Sequence, residues 1–317
     1  VSFKYLNPGF PGLLDTTSGV LVEDEKCSRT GVGFWQPNTE KGVKFPTYPQ
    51  ELYCKFDFFL YYDTSSNTDY SIIVRTNYPY CGISLKKSKA YVDFEYHVRS
   101  YDYTIAYGNE TAKLQDEGNL RLNQVNTVCF HYKPSTSSSS NDSVIEIFVN
   151  GKRKVRSSRY AEFPSSSEGV TMAFSSSNAI APLSSILLSD EPFDMRESLV
   201  RVPVKSVTTD MTDNGDGTYT TSEVGQTLLQ ELDVPALLEA HGATSDVTGI
   251  LSVASPACRT EALNQLTHIE KQGDTVTEYG STEVGLDATG AACAVRPVSM
   301  KLSELAGLSV GWKAGSK

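Results

Sequence analysis

The sequence predicts a mainly β protein, an antiparallel β-sandwich followed by a smaller α+β domain. Three observations carry this reading. Apolar and polar residues alternate with period two through the first part of the chain, an Asn150-Gly151 pair sits between two such runs, and composition changes near residue 198. Beyond that point lie only two of the 17 tyrosines, Tyr219 and Tyr279. A chain of 317 residues is long enough to bury two cores. The expected boundaries are 1–197 for the sandwich and 198–317 for a small α+β attachment or assembly domain.

In the first part, Cys54, Phe56, Phe58, Leu60 and Tyr62 alternate with Lys55, Asp57 and Phe59. Likewise Val92, Phe94, Tyr96 and Val98 alternate with Asp93, Glu95, His97 and Arg99. Each run turns one face to a core and the other to solvent. Further strands are expected at 70–75, 101–107, 125–132, 144–149, 154–159, 170–175 and 183–188, enough to build a sandwich. Asn150-Gly151 joins two of them as a hairpin, because a type I′ turn needs positive φ at both central residues. The serine runs at 135–140 and 165–167 read as loop tips.

The second part mixes signals. A strand at 202–208 leads into Asp213-Asn214-Gly215-Asp216-Gly217, which reads as a hairpin turn. Leu228, Leu229 and Leu232 are spaced for one face of a short helix. Pro235 starts a second that ends before Gly242, while Ala262, Leu263, Leu266 and Ile269 fit a third. After Gly273 the reading is strand and loop, with a short helical stretch at 303–306.

Charge and composition exclude several classes. The formal net charge is −10 and no basic run is longer than Lys152-Arg153-Lys154, so the chain is not built to neutralise many phosphates. Nucleic acid is excluded as a partner. No stretch approaches the roughly 18 apolar residues of a membrane span, and the first thirty residues lack a signal-peptide pattern. The expectation is a chain that is soluble and untargeted, or already processed, without membrane insertion. Cys27, Cys54, Cys81, Cys129, Cys258 and Cys293 stand far apart without metal-ligand spacing. They are expected as buried thiols, since a chain this large needs no disulfide staples.

The order of features carries a resemblance. Asn126-Thr127-Val128-Cys129-Phe130-His131-Tyr132, then Ile145-Glu146-Ile147-Phe148-Val149-Asn150-Gly151-Lys152, then Pro182-Leu183-Ser184-Ser185-Ile186-Leu187-Leu188-Ser189-Asp190 resembles the later strands of concanavalin A-like lectin/glucanase and laminin G-like jelly rolls. The opening Phe3-Lys4-Tyr5-Leu6-Asn7-Pro8-Gly9-Phe10 is similar to the start of lectin-like proteins encoded near phage tail genes. The resemblance covers residues 1–195 and rests on strand patterns. It implies a jelly-roll sandwich, and a function only by analogy. No resemblance extends to 198–317.

Members of that superfamily that hydrolyse glycosides carry paired carboxylates on one strand. The closest match is Asp93-Phe94-Glu95, followed by His97 in place of a third acid. The ordinary reading, a solvated strand face, is preferred. There is no Gly-x-Ser-x-Gly elbow, and His97, His131, His241 and His268 stand in unrelated contexts. The chain is therefore expected not to be an enzyme.

Calcium is the candidate metal. Thr212, Asn214, Asp216, Gly217 and Glu223 imitate EF-hand spacing, but strand-like flanks favour a plain hairpin. Asp63, Asn67 and Asp69 lie in an oxygen-rich loop where the resemblance implies calcium beside a sugar, although any turn favours the same residues. For sugar recognition, Trp35, Tyr61, Tyr101 and Tyr103 offer flat aromatic faces, and Asp93, Glu95 and His97 offer polar partners for hydroxyls. Packing inside the sandwich is the ordinary alternative for each ring.

The expected function is a non-catalytic carbohydrate- or surface-binding module of a virion, in the manner of a phage tail fibre, or of a cell surface. Its partners would be a glycan or host receptor and other subunits of an oligomer, at the virion surface or outside the cell. The alternatives are a structural coat, decoration or fibre subunit without glycan binding, and a jelly-roll glycoside hydrolase.

Overall fold

Alternation in Leu52–Phe59 builds a strand whose Leu52, Cys54, Phe56 and Phe58 are buried in one core, and Val144–Val149 repeats the pattern with Ile145, Ile147 and Val149. The computed structural model describes residues 5–9, 20–23, 26, 28–35, 42–45, 51–61, 68–75, 80–87, 91–100, 103–113, 121–137, 139–158, 170–176, 182–194, 196–258, 262–285 and 292–317. The chain forms two units, Val1–Val200 and Arg201–Lys317. No helix among the described residues is long and apolar enough to cross a membrane.

The first unit opens with strands β1 (Tyr5–Asn7), β2 (Val20–Glu23), β3 (Val32–Trp35), β4 (Gly42–Phe45) and β5 (Leu52–Phe59). It continues with β6 (Thr68–Arg75), β7 (Tyr80–Lys87), β8 (Tyr91–Ser100), β9 (Tyr103–Lys113) and β10 (Val125–Lys133). Then follow β11 (Val144–Val149), β12 (Lys152–Ser157), β13 (Val170–Ser176) and β14 (Leu183–Ser189). One antiparallel sheet has the order β12-β11-β10-β5-β14-β3-β2, with β1 paired to β14; the other runs β4-β13-β6-β7-β8-β9. Phe56 of the first sheet meets Phe174 of the second edge-to-face, with ring centroids 6.3 Å apart. This is the β-sandwich that the alternation predicts.

The Asn150-Gly151 hairpin forms between β11 and β12 with φ of 48° and 78°. Asn150 also ties the turn to β10, accepting from the Thr127 amide and donating to Asn126.

One expectation for β5 is overturned. Lys55, Asp57 and Phe59 do not face solvent but are 2%, 0% and 4% exposed. Chain laid over this face accounts for it. The Lys55 ammonium donates to the backbone carbonyl of Glu197, and neighbouring β14 is buried along its whole length.

The second unit contains β15 (Val204–Thr209), β16 (Thr212–Asp213), β17 (Tyr219–Thr220), β18 (Thr227–Leu232) and helix α1 (Val234–His241). Beyond the helix come β19 (Asp246–Ala254), β20 (Gln265–Gln272), β21 (Thr275–Glu283), β22 (Ala292–Lys301) and β23 (Leu308–Gly315). A five-stranded antiparallel sheet runs β15-β18-β23-β20-β21, and β19 pairs with β22 as a separate ribbon. Helix α1 forms where Pro235 predicts it, capped by the Asp233 carboxylate and ended at Gly242, whose φ is 82°. A 3-10 turn at Leu302–Leu305 answers the last helical signal. Leu232, Val234, Leu237, Leu302, Leu305 and Leu308 make the core beneath them.

Two expected helices are strands. Leu228, Leu229 and Leu232 lie on β18, and Leu266 and Ile269 on β20, each between two strand neighbours. A central strand buries residues on both faces, so its apolar positions can fall three or four apart and imitate a helical stripe. On β20 the consecutive His268, Ile269 and Glu270 are all buried.

Candidate functional site

Register in the six-stranded sheet gathers the sequence-predicted residues of β6, β8 and β9. Phe174, which packs toward the other sheet, pairs with Val74, and Val74 with Cys81, so these positions define the inner face. The alternate positions define the outer face. One row there is Asp69, Lys86, Asp93 and Thr111; the next is Ser71, Ser84, Glu95 and Asn109. Then come Ile73, Gly82, His97 and Tyr107, and finally Arg75, Tyr80, Arg99 and Thr104. By register, the acidic positions fall in the first two rows and the arginine and tyrosine positions in the last two.

Asp93, Glu95 and His97 stand at alternate positions of β8 on this face, and Asp69 joins them from β6. Tyr103 opens β9, opposite Ser100. Trp35 does not join them. It ends β3 in the other sheet, opposite Val20, and Tyr61 follows β5 in that same sheet, its ring packed on Phe59. Tyr101, Asp63 and Asn67 lie outside the described residues. The EF-hand-like segment closes as the plain hairpin β16–β17. The Asp213 and Asp216 carboxylates accept from the backbone amides of Gly215 and Thr218.

The outer face of the other sheet carries a polar row that the sequence reading did not single out. Tyr53 and His131 are cross-strand partners with rings stacked 4.3 Å apart. Glu51 accepts from the Tyr53 hydroxyl, pairs with Lys133 at 3.1 Å and lies 3.6 Å from His131 Nε2. Glu146 approaches His131 Nδ1 at 3.5 Å and pairs with Arg153 at 3.2 Å. The Tyr53 bond holds the Glu51 carboxyl below its ordinary value; burial, with the same bond, pushes the phenol well above its own.

Four residues further along the same β5–β10 pair, Asp57 is buried. It accepts from Thr127 at 2.6 Å, lies 3.9 Å from Arg29, and keeps Oδ2 without a hydrogen bond. The Ser185 hydroxyl sits near enough to favour the ionised carboxylate but makes no bond of ordinary geometry with it. Burial raises the Asp57 pKa, lowers that of Lys55 and pushes the Cys129 thiol up to about 11. Cys54, Cys129 and Cys258 are buried and Cys293 is half-buried, and none of the four forms a disulfide.

In the second unit Ser252 Oγ and His268 Nε2 lie 3.0 Å apart, a distance that suits a nucleophile and its base. Both side chains are buried, so the pair is closed to a substrate. Only three-dimensional pairing reveals these clusters. Their members are scattered in sequence, and the alternation that exposes a strand face reads the same when other chain covers that face.

No protein-family model matches the chain, and no curated protein matches its sequence. Solved structures give faint likenesses. Sheep galectin-11, crystallised with glycerol, aligns at 10% identity and a TM-score of 0.26 over 46% of this chain and 93% of its own. An alginate lyase aligns at 11% identity and 0.32, over 54% and 79%. The binding domain of botulinum neurotoxin serotype G aligns at 9% and 0.29, over 60% and 44%. Scores of this size carry no argument, and the sandwich rests on its own strand pairing.

Proposed function

We propose that the first unit is a non-catalytic carbohydrate-binding module that engages glycans on the outer face of β6 to β9. The carrying observation is the row pattern of that face. Asp69, Asp93, Glu95 and Asn109 supply acceptors for sugar hydroxyls, and Asn109 also a donor. Tyr80 and Tyr107 supply aromatic surface for the apolar side of a pyranose. Its setting, in the same proposal, is a virion or cell surface to which the second unit attaches it. The net charge of −10 supports that setting by keeping an exposed particle from adhering to other acidic polymers.

The test is a glycan-array screen of the intact chain, with and without a calcium chelator, followed by product analysis of every retained sugar. Binding without cleavage is the expected result. Cleavage that is abolished by Glu95→Gln would replace the module with a hydrolase, and a folded chain that retains no glycan would leave a structural subunit. Loss of binding on chelation would direct attention to Asp63, Asn67 and Asp69.

A further inference from the structure

We propose that the β19–β22 ribbon of the second unit is an acid-released cover over the five-stranded sheet, with His268 as its trigger. Among the described residues the ribbon strands pair only with each other and share no strand ladder with the sheet. Side chains hold it there. Val247 and Met300, paired near one end, pack against the leucine core together with Ile250. From Arg296, the cross-strand partner of Ile250, toward the other end the seam is polar. Ser252 of β19 meets His268 of β20 at 3.0 Å, and Arg296 of β22 donates to Glu270 of β20 at 2.6 Å. The Arg296 guanidinium also lies over the Tyr279 ring of β21, 5.3 Å from its centroid.

His268 and Glu270 are two residues apart on one strand and therefore share a face. The groups around the imidazole come from every neighbouring element: Ser252 on β19, Arg296 on β22, Tyr279 on β21, Trp312 on β23 and Glu270 on its own strand. The charges acting on it are one carboxylate, Glu270, and one guanidinium, Arg296. With His268 neutral, these two satisfy each other. Protonation puts a second cation beside a single buried carboxylate, and imidazolium and guanidinium then compete for Glu270. Glu270 is 4% exposed and Arg296 20%, so the arginine at the rim is the partner that can leave for water. Its departure cuts the ribbon's ion pair to the sheet and leaves the apolar end as a hinge. Burial holds the His268 pKa below its ordinary 6.5, so the release belongs to the acid side of that value. Trp312, now buried against His268, becomes accessible when the ribbon lifts.

Hydrogen exchange on the intact chain tests this at about pH 7.5 and about pH 5.5, with rates corrected for the intrinsic pH dependence of exchange. The expected result is faster exchange, by about tenfold or more, in peptides of Asp246–Ala254 and Ala292–Lys301 at the lower pH, with β20 and β23 unchanged. His268→Gln keeps a partner for Ser252 but cannot charge, and should abolish the difference. Trp312 fluorescence in a Trp35→Phe background gives a second readout in a chain that retains His268, with acid-enhanced quenching by acrylamide expected. Equal ribbon exchange at both pH values, or a pH response that persists in His268→Gln, overturns the proposal. So does acid quenching of Trp312 that stays flat.

Discussion

At the scale of single residues, the first unit joins an apolar interior to a polar layer that is itself largely buried. Phe56 is 1% exposed and packs edge-to-face on Phe174, so Phe56→Ala removes both the burial and the contact between sheets. The expected loss is about 3–5 kcal/mol, read from chemical denaturation of the intact chain. Glu51 gives a pH prediction. Its folded pKa lies below 4.5, chiefly because the Tyr53 hydroxyl donates to it. The stabilisation this carboxylate contributes is therefore complete above pH 4.5 and lost as pH falls through the folded value. Glu51→Gln should flatten the acid limb of a stability profile and lower stability at neutral pH; an unchanged acid limb would contradict the assignment. Lys55 and Asp57 mark where the sequence misleads. Their alternation with Cys54, Phe56 and Phe58 is what a solvated strand face looks like, and only the chain laid across them, held by the Lys55 bond to Glu197, removes them from water.

At the scale of elements, local rules explain the hairpins and fail for central strands. Gly151 adopts φ of 78° with open space where a Cβ would stand. Gly151→Ala therefore meets backbone strain without a clash, and should cost about 1–2 kcal/mol while leaving the fold intact. A much larger loss would mean that the turn does more than connect β11 and β12. The same local logic reads Pro235 and Gly242 as the two ends of α1. It fails for β18 and β20 because a short apolar run buried on both faces lacks a distinguishing period, and its strand neighbours come from distant segments such as Leu308–Gly315. The candidate glycan face was half legible. Asp93, Glu95 and His97 follow from alternation on one strand, whereas Asp69, Asn109 and Tyr107 join them only through a ladder that the sequence does not spell out.

At the scale of the whole molecule, the two units carry different devices. The first sets polar positions in register across β6 to β9, and the second closes a buried His268 seam beneath a ribbon. Both bear on an acidic chain read as a surface-displayed binding module. The measurement that tests this account most directly takes the tightest ligand from the array and titrates it against the wild-type chain and two double variants. One is His97→Ala with Tyr107→Ala on the β6 to β9 face; the other is Glu51→Gln with Tyr53→Phe on the opposite sheet. The account predicts that the first variant weakens binding about tenfold or more, at least 1.4 kcal/mol, while the second binds as the wild type does. Equal affinity for all three chains, or loss confined to the Glu51 and Tyr53 variant, would contradict it.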